Sequence, residues 1–338
     1  MRSSKPNWSR RILRLLGVLL LIFIVLKIGR QSLLAELRSA NWTVVGLAAV
    51  LCAAHFAAKA LRWRYILSAR GVRVGAMKAA RAYGAGALVG ILTPGRVGEL
   101  TRAAFVPQWE PRASWGTALG SVVLDRIVDI AAFAFVALLG GVVVVAPRAW
   151  RFTAEFSALM LLVLGLGLSA FAWGQLSRSR AGERFKQMMR SKFGDAGHDF
   201  FRALKTGIGA ESVPVAAWTV VSYALFFLHF VLLCRAVGSG LSARVICWGI
   251  SLASLAAILP VSISGIGVRD FVLIAVFTAW GDTAARTLAI SLTYLGILYV
   301  SIVSVGIWPF MTGELDLSLL RRRGPGESAD ATGAGGGP

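Results

Sequence analysis

Apolar residues in this 338-residue chain fall in blocks of roughly 20, the length a helix needs to cross a hydrocarbon core of about 30 Å. The blocks predict spans at about 12–28, 42–61, 115–146, 156–176, 214–237 and 287–310. Two further apolar stretches are interrupted. Residues 79–92 and 97–106 flank Thr93-Pro94-Gly95-Arg96, and residues 245–259 and 267–280 flank Pro260-Val261-Ser262-Ile263-Ser264-Gly265. Each limb is too short to cross, and broken backbone at membrane depth survives only inside protein or along a wet cavity. Each pair therefore predicts a re-entrant hairpin. Two long kinked helices are the alternative reading, and the charge carried at both breaks weighs against it.

Composition removes the soluble alternatives: 57% of residues are hydrophobic and 15% charged, where soluble domains carry about 45–50% and about 25%. The predicted fold class is an all-α polytopic membrane protein with about six full transmembrane helices and two re-entrant hairpins. Lys and Arg outnumber Asp and Glu 36 to 16, a net charge of +20. Much of that excess lies between spans. Arg2, Lys5, Arg10, Arg11 and Arg14 precede the first block, which lacks a small-residue cleavage site and reads as a membrane helix, not a removed signal. The stretch 62–81 holds Arg62, Arg64, Arg70, Arg73, Lys78 and Arg81 without an acid, and its start, Arg62-Trp63-Arg64-Tyr65, reads as an interface anchor. A cytoplasmic N-terminus puts 62–81, a loop at 177–212 and Arg321–Arg323 on one side, as the positive-inside rule requires. The charge is thus accounted for by topology and anionic lipid, and nucleic acid is not an expected partner. The expected location is a bacterial inner membrane with both termini cytoplasmic.

The order of elements repeats. A basic N-terminus (1–11) precedes a membrane domain (12–312), in which residues 12–146 run helix, helix, hairpin, helix and residues 156–310 run the same order in the reverse direction. A low-complexity tail (313–338) follows. Inverted repeats with Gly/Pro-interrupted segments in corresponding positions point to a transporter architecture with a site near the midplane.

Candidate chemistry sits at the breaks. The first offers Gly95, Arg96, Gly98, Glu99 and Arg102: free N–H groups at the start of the second limb and a bidentate guanidinium at Arg96 suit an anion such as phosphate. Glu99 and Arg102 pair with each other or across the cavity. The third full span carries Asp125, Arg126 and Asp129, acids whose obvious partners are Arg96 and Arg102; a salt-bridge network and a proton relay both remain open. At the second break Ser262 and Ser264 are candidate caps, Gly265 and Gly267 permit close approach, and Arg269 and Asp270 fall in the first turn of the following limb. Gly86 and Gly90 are spaced as a packing face, and His55 and His229 read as packing residues. Cys52, Cys234 and Cys247 have no C-x-x-C spacing, and no metal, cofactor or disulfide framework is expected.

The pieces Leu61-Arg62-Trp63, Pro94-Gly95-Arg96-Val97-Gly98-Glu99 with Arg102, Leu124-Asp125-Arg126 with Asp129, and Pro260 through Asp270 resemble the flippase-like transmembrane domain of lysylphosphatidylglycerol synthases. Together they cover most of residues 10–312. The family pattern has Glu where Asp125 and Asp270 stand here, so charge is kept and reach shortened. The resemblance implies movement of lipid between leaflets, with head-group synthesis done by a separate domain and not expected of this chain, which ends soon after its last span. The expected function is a non-enzymatic flippase for a phosphate-bearing lipid (phospholipid, aminoacyl-phospholipid or polyprenyl-linked), moved by alternating access. The expected partner is an anionic or zwitterionic lipid. The alternative is a non-transporting accessory protein that partners a lipid-synthesising enzyme or glycosyltransferase.

Overall fold

The computed structural model describes residues 19–93, 95–145, 212–258 and 265–313. Every regular element among them is helical. In chain order these are α1 (Leu19–Ile28), α2 (Arg30–Ser39), α3 (Trp42–Ser68), α4 (Ala76–Ile91), a 3₁₀ segment (Val97–Phe105) continuing into α5 (Val106–Trp109), and α6 (Trp115–Gly140), which passes into a π turn at Gly141–Val145. Beyond the next gap come α7 (Ser212–Ala236), α8 (Ala243–Ala256), α9 (Val268–Ala279), α10 (Ala284–Gly306) and α11 (Trp308–Met311). The expected span 156–176, the loop 177–212 up to its last residue, the N-terminus and the tail beyond residue 313 lie outside the described residues.

Four of these helices are long and apolar enough to cross a membrane: Trp42–Ser68, Trp115–Val144, Val213–Ala236 and Ala284–Met311. Each was expected, although α3 runs seven residues past its expected end at 61. At 1.5 Å per residue its 27 residues reach about 40 Å, whereas the 16 residues of α4 reach about 24 Å. Their starts are set locally: Asn41, Ser114 and Thr283 accept the Val44, Thr117 and Arg286 N–H groups at 3.1–3.2 Å. The short α2 was not foreseen.

The surface and interior are inverted relative to a soluble protein. Val50, Phe135, Val142, Val220 and Val300 are 65–72% exposed, while Arg62, Arg102, Asp125 and Asp270 are wholly buried. This is the pattern of helices solvated by lipid around a polar interior. Trp42 and Trp308 are exposed near helix ends, as interface residues should be, but Trp63 and Trp248 are core residues.

Both interrupted stretches double back. A Cβ on Gly86 would sit 2.9 Å from Arg102 Cβ, one on Gly90 2.5 Å from Glu99 Cγ, and one on Gly98 2.5 Å from the Val89 carbonyl oxygen. In one continuous helix Gly86 and Arg102 would lie about 24 Å apart, so this is an antiparallel hairpin. Glycine makes it close enough to pack, and the Gly86 and Gly90 face works inside the hairpin. In the second pair, Gly249 lies against Phe277, and the Trp248 and Trp280 rings meet at 5.2 Å. That too is antiparallel.

Packing between the halves is reciprocal. The most extensive contact joins α3 and α7. The first limb of each hairpin then lies on the long helix of the other half: α4 on α10, where a Cβ on Gly84 would come within 2.9 Å of Gly306 N, and α8 on α6, where Trp248 fills the space a side chain at Gly140 would need.

Candidate functional site

The turn of the first hairpin is built on left-handed backbone. Gly95 and Arg96 both have positive φ, 59° and 55°; Gly95 adopts this without strain, whereas Arg96 does not. The expected free N–H groups are not all available beyond it. The Gly98 N–H donates to Thr93 Oγ1 at 2.7 Å and the Glu99 N–H to the Arg96 carbonyl at 3.0 Å, because the second limb winds as a tight 3₁₀ helix. Whatever this tip offers to an anion comes chiefly from the Arg96 side chain, which is 32% exposed.

Behind the tip lies a buried ionic network. Asp125 accepts from Arg62 Nε at 2.8 Å and from Arg102 Nη2 at 2.6 Å, and Arg62 Nη2 is 2.5 Å from the same carboxylate. Asp129 binds Lys59 Nζ at 2.7 Å, Arg62 Nη2 at 2.7 Å and Arg126 Nη2 at 3.1 Å, and accepts from Tyr223 Oη at 3.1 Å. Glu99 forms a two-point pair with Arg126, at 2.5 and 3.1 Å. Arg126 also donates to Tyr83 Oη at 3.2 Å, and Tyr83 and Trp63 present ring faces to Arg102 at 4.3 and 5.0 Å.

Several expectations change here. Glu99 and Arg102 do not pair with each other; each reaches across to α6. Arg102 partners Asp125 as expected, but Arg96 reaches neither acid of α6 and stands 4.0 Å from Glu99. The α3 contribution was missed. Arg62 and Trp63 are core residues, not an interface anchor, and Lys59 supplies a further cation. A signal existed, since His55, Lys59 and Arg62 recur at intervals of four and three on one helical face, with Tyr65 exposed elsewhere.

The second break is simpler. Gly265 and Gly267 have positive φ, 77° and 84°, and Gly265 lies against Ala257, so close approach and the left-handed turn both need glycine. Asp270 accepts the Gly267 N–H at 2.8 Å and Arg269 Nη2 at 2.7 Å, and Ser291 of α10 donates to it. Arg269 also donates to Ser291 Oγ at 2.9 Å and lies over the Tyr294 ring at 4.9 Å. Ser262 and Ser264 lie outside the described residues; within them, Asp270 caps this limb.

Described residues of both hairpins line one cavity of about 120 Å³. Gly95, Arg96 and Glu99 line it from the first hairpin, Ser254, Ala257, Ile258 and Arg269 from the second. Lys59 of α3, Arg126 and Asp129 of α6 and Tyr294 of α10 complete its polar wall, with Phe56, Phe133, Phe226 and Leu298 apolar. His55 and His229 line it as well: His55 Nδ1 is 2.7 Å from the Ser222 carbonyl, and His229 stacks on Tyr294 at 5.8 Å. Gly98, Arg102, Asp125, Gly267 and Asp270 stand behind the wall and position it. Of these partners Tyr83, Tyr223, Ser291 and Tyr294 were not foreseen; hydroxyls inside apolar blocks carry little sequence signal.

The fold and this interior define a multi-pass helical membrane protein with a charged cavity where two broken helix pairs meet. The chain belongs to the lysylphosphatidylglycerol synthase transmembrane-region family, whose model matches residues 11–306. It is also similar to a UPF0104 membrane protein of Methanothermobacter thermautotrophicus, 25% identical over 320 residues that cover 88% of this chain and 93% of the relative.

Proposed function

We propose that this protein moves a phosphate-bearing lipid between leaflets, holding the head group in the cavity between the two hairpin tips while the tails stay in lipid. One observation carries the reading: Lys59, Arg96, Arg126 and Arg269, from α3, both hairpins and α6, line a single cavity inside a membrane protein. Cations are rare at membrane depth and there mark substrate paths. Arg96 suits a phosphate best, since among the described residues its guanidinium has no closer carboxylate than Glu99 at 4.0 Å, and it is partly open.

On this reading the antiparallel limbs are re-entrant, the first dipping from the cytoplasm and the second from outside, and the halves form an inverted repeat. The reciprocal packing of α4 on α10 and α8 on α6 supports a two-fold relation. Access alternates by rocking one half against the other.

The test is leaflet exchange of fluorescent lipids in proteoliposomes, read by quenching of the outer leaflet. Wild type accelerates exchange of an anionic or polyprenyl phosphate lipid over empty liposomes, and Arg96→Ala reduces the rate at least tenfold. No acceleration for any anionic, aminoacylated or polyprenyl lipid refutes the proposal. Normal exchange by Arg96→Ala refutes the site, and an accessory role predicts that this variant remains functional in cells.

A further inference from the structure

The cavity and the network behind it carry more positive charge than the carboxylates among the described residues neutralise, and we infer that the site selects a doubly negative phosphomonoester over a singly charged phosphodiester. The inference rests on the reading of this cavity as a lipid head-group site. Four cations, Lys59, Arg62, Arg102 and Arg126, share three carboxylates, Glu99, Asp125 and Asp129. Arg96, 4.0 Å from Glu99, is a fifth. With histidines neutral, five cations against three anions leave two positive charges around the first tip among the described residues. At the second hairpin Arg269 is matched by Asp270, and among the described residues the balance there is zero.

Unneutralised charge in a low-dielectric interior is unfavourable unless a ligand completes the pairing. A ligand of charge −2 brings the first-tip count to zero, whereas a phosphodiester leaves one charge over. A phosphomonoester has its second pKa near 6 and is doubly charged at pH 8. A donor is in place for the extra oxygen: Arg96 lines the cavity with its side chain 32% exposed, and Arg269 lines it from the other hairpin. Size agrees. The cavity of about 120 Å³ has room for several water-sized groups, and so for a phosphate.

The same chemistry comes from a lipid or from free phosphate, and the experiment separates them. Purified protein in detergent at pH 8 is titrated with tetradecyl phosphate, methyl tetradecyl phosphate and inorganic phosphate, with binding followed by calorimetry. The two lipids share a chain and differ by one methyl and one charge. The expected result is at least tenfold tighter binding of the monoester, with inorganic phosphate weaker than either lipid. Arg96→Gln weakens the monoester at least tenfold and the diester less than threefold, and Arg96→Lys retains the preference. Because Arg96 is partly exposed, these variants keep the wild-type melting temperature. Wild-type affinities within threefold for the two lipids overturn the charge inference and leave the lipid site standing. Binding of neither lipid by the folded protein overturns both. Inorganic phosphate as tight as the monoester overturns the lipid assignment, since it makes this an ion site.

Discussion

Asp125 is the acid on which the interior turns, and Asp125→Asn tests the network with little change of shape. The side chain is fully buried and holds Arg62 and Arg102 at N···O distances of 2.5–2.8 Å. At an effective dielectric of about 20, each contact is worth about 6 kcal/mol of Coulomb attraction before desolvation is subtracted. Most of that is offset by taking the ions out of water, so the pair adds little over an apolar replacement. Removing one partner is different: it strands a buried charge at a cost of about 3–5 kcal/mol. In Asp125→Asn, Arg62 keeps Asp129, but Arg102 loses its carboxylate among the described residues and is left with the ring faces of Tyr83 and Trp63 and at most a neutral amide oxygen. At roughly 2–4 °C per kcal/mol, the melting temperature in detergent falls by roughly 6–20 °C, read from tryptophan fluorescence. The control is Arg102→Gln in the same chain, which removes the stranded cation and recovers at least half of the loss. A melting temperature within 2 °C of wild type for Asp125→Asn, or a double variant no better than the single, refutes the account.

Gly98→Ala puts a methyl 2.5 Å from the Val89 carbonyl oxygen, which backbone cannot relieve without opening the hairpin; about 1–3 kcal/mol of stability and the lipid-exchange activity are expected to go together in the melting and proteoliposome assays. Sidedness tests the hairpins directly. In a chain with Cys52, Cys234 and Cys247 replaced, Met77→Cys and Arg112→Cys react with an impermeant thiol reagent from one side of the membrane, and Ser242→Cys and Ala279→Cys from the other; labelling of Met77→Cys and Arg112→Cys from opposite sides shows a spanning segment instead. Glu36→Gln breaks a partly exposed pair with Arg286, and its effect on the melt corresponds to at most about 1 kcal/mol, in contrast to Asp125.

What the sequence made legible follows from contrast. A charge inside an apolar block stands out, so both breaks and the Asp125 to Asp129 turn were visible as sites, and the block lengths located the four described spans. Lys59 and Arg62 were hidden because they sit where a span ends, and basic residues there have a routine explanation at the interface. Only the helical face they share with His55 distinguishes them. The Gly98 N–H was misjudged for a different reason. Whether a limb starts as an α-helix with free donors or as a 3₁₀ turn whose donor meets Thr93 depends on tertiary packing against α4, which propensity does not encode. The amphipathic α2 is short and polar beside its neighbours, and its place is set by Leu33 burying and Glu36 meeting Arg286, a partner 250 residues away.

The distribution of these contacts bears on how a cavity of this kind opens. Among the described residues, the ion pairs of the network join α3, the first hairpin and α6, all in the first half of the chain, while Arg269, Asp270 and Ser291 tie the second hairpin to α10 within the other half. Between halves lie Gly84 on Gly306, Trp248 on Gly140 and apolar helix faces, with polar links that include the Asn41 N–H to the Ala236 carbonyl, His55 to Ser222, Tyr223 to Asp129, Arg81 over the Trp308 ring and the partly exposed Glu36–Arg286 pair. Separating a buried ion pair is strongly unfavourable, whereas small residues let helix backbones approach closely without such pairs. The buried ion pairs therefore brace each half internally, and on the proposed transport reading it is the surface between the halves, the extensive α3 and α7 contact included, that has to shift. The cavity wall draws Arg96 from one body and Arg269 from the other, so any relative movement changes the distance between the two guanidinium groups that would hold a phosphate.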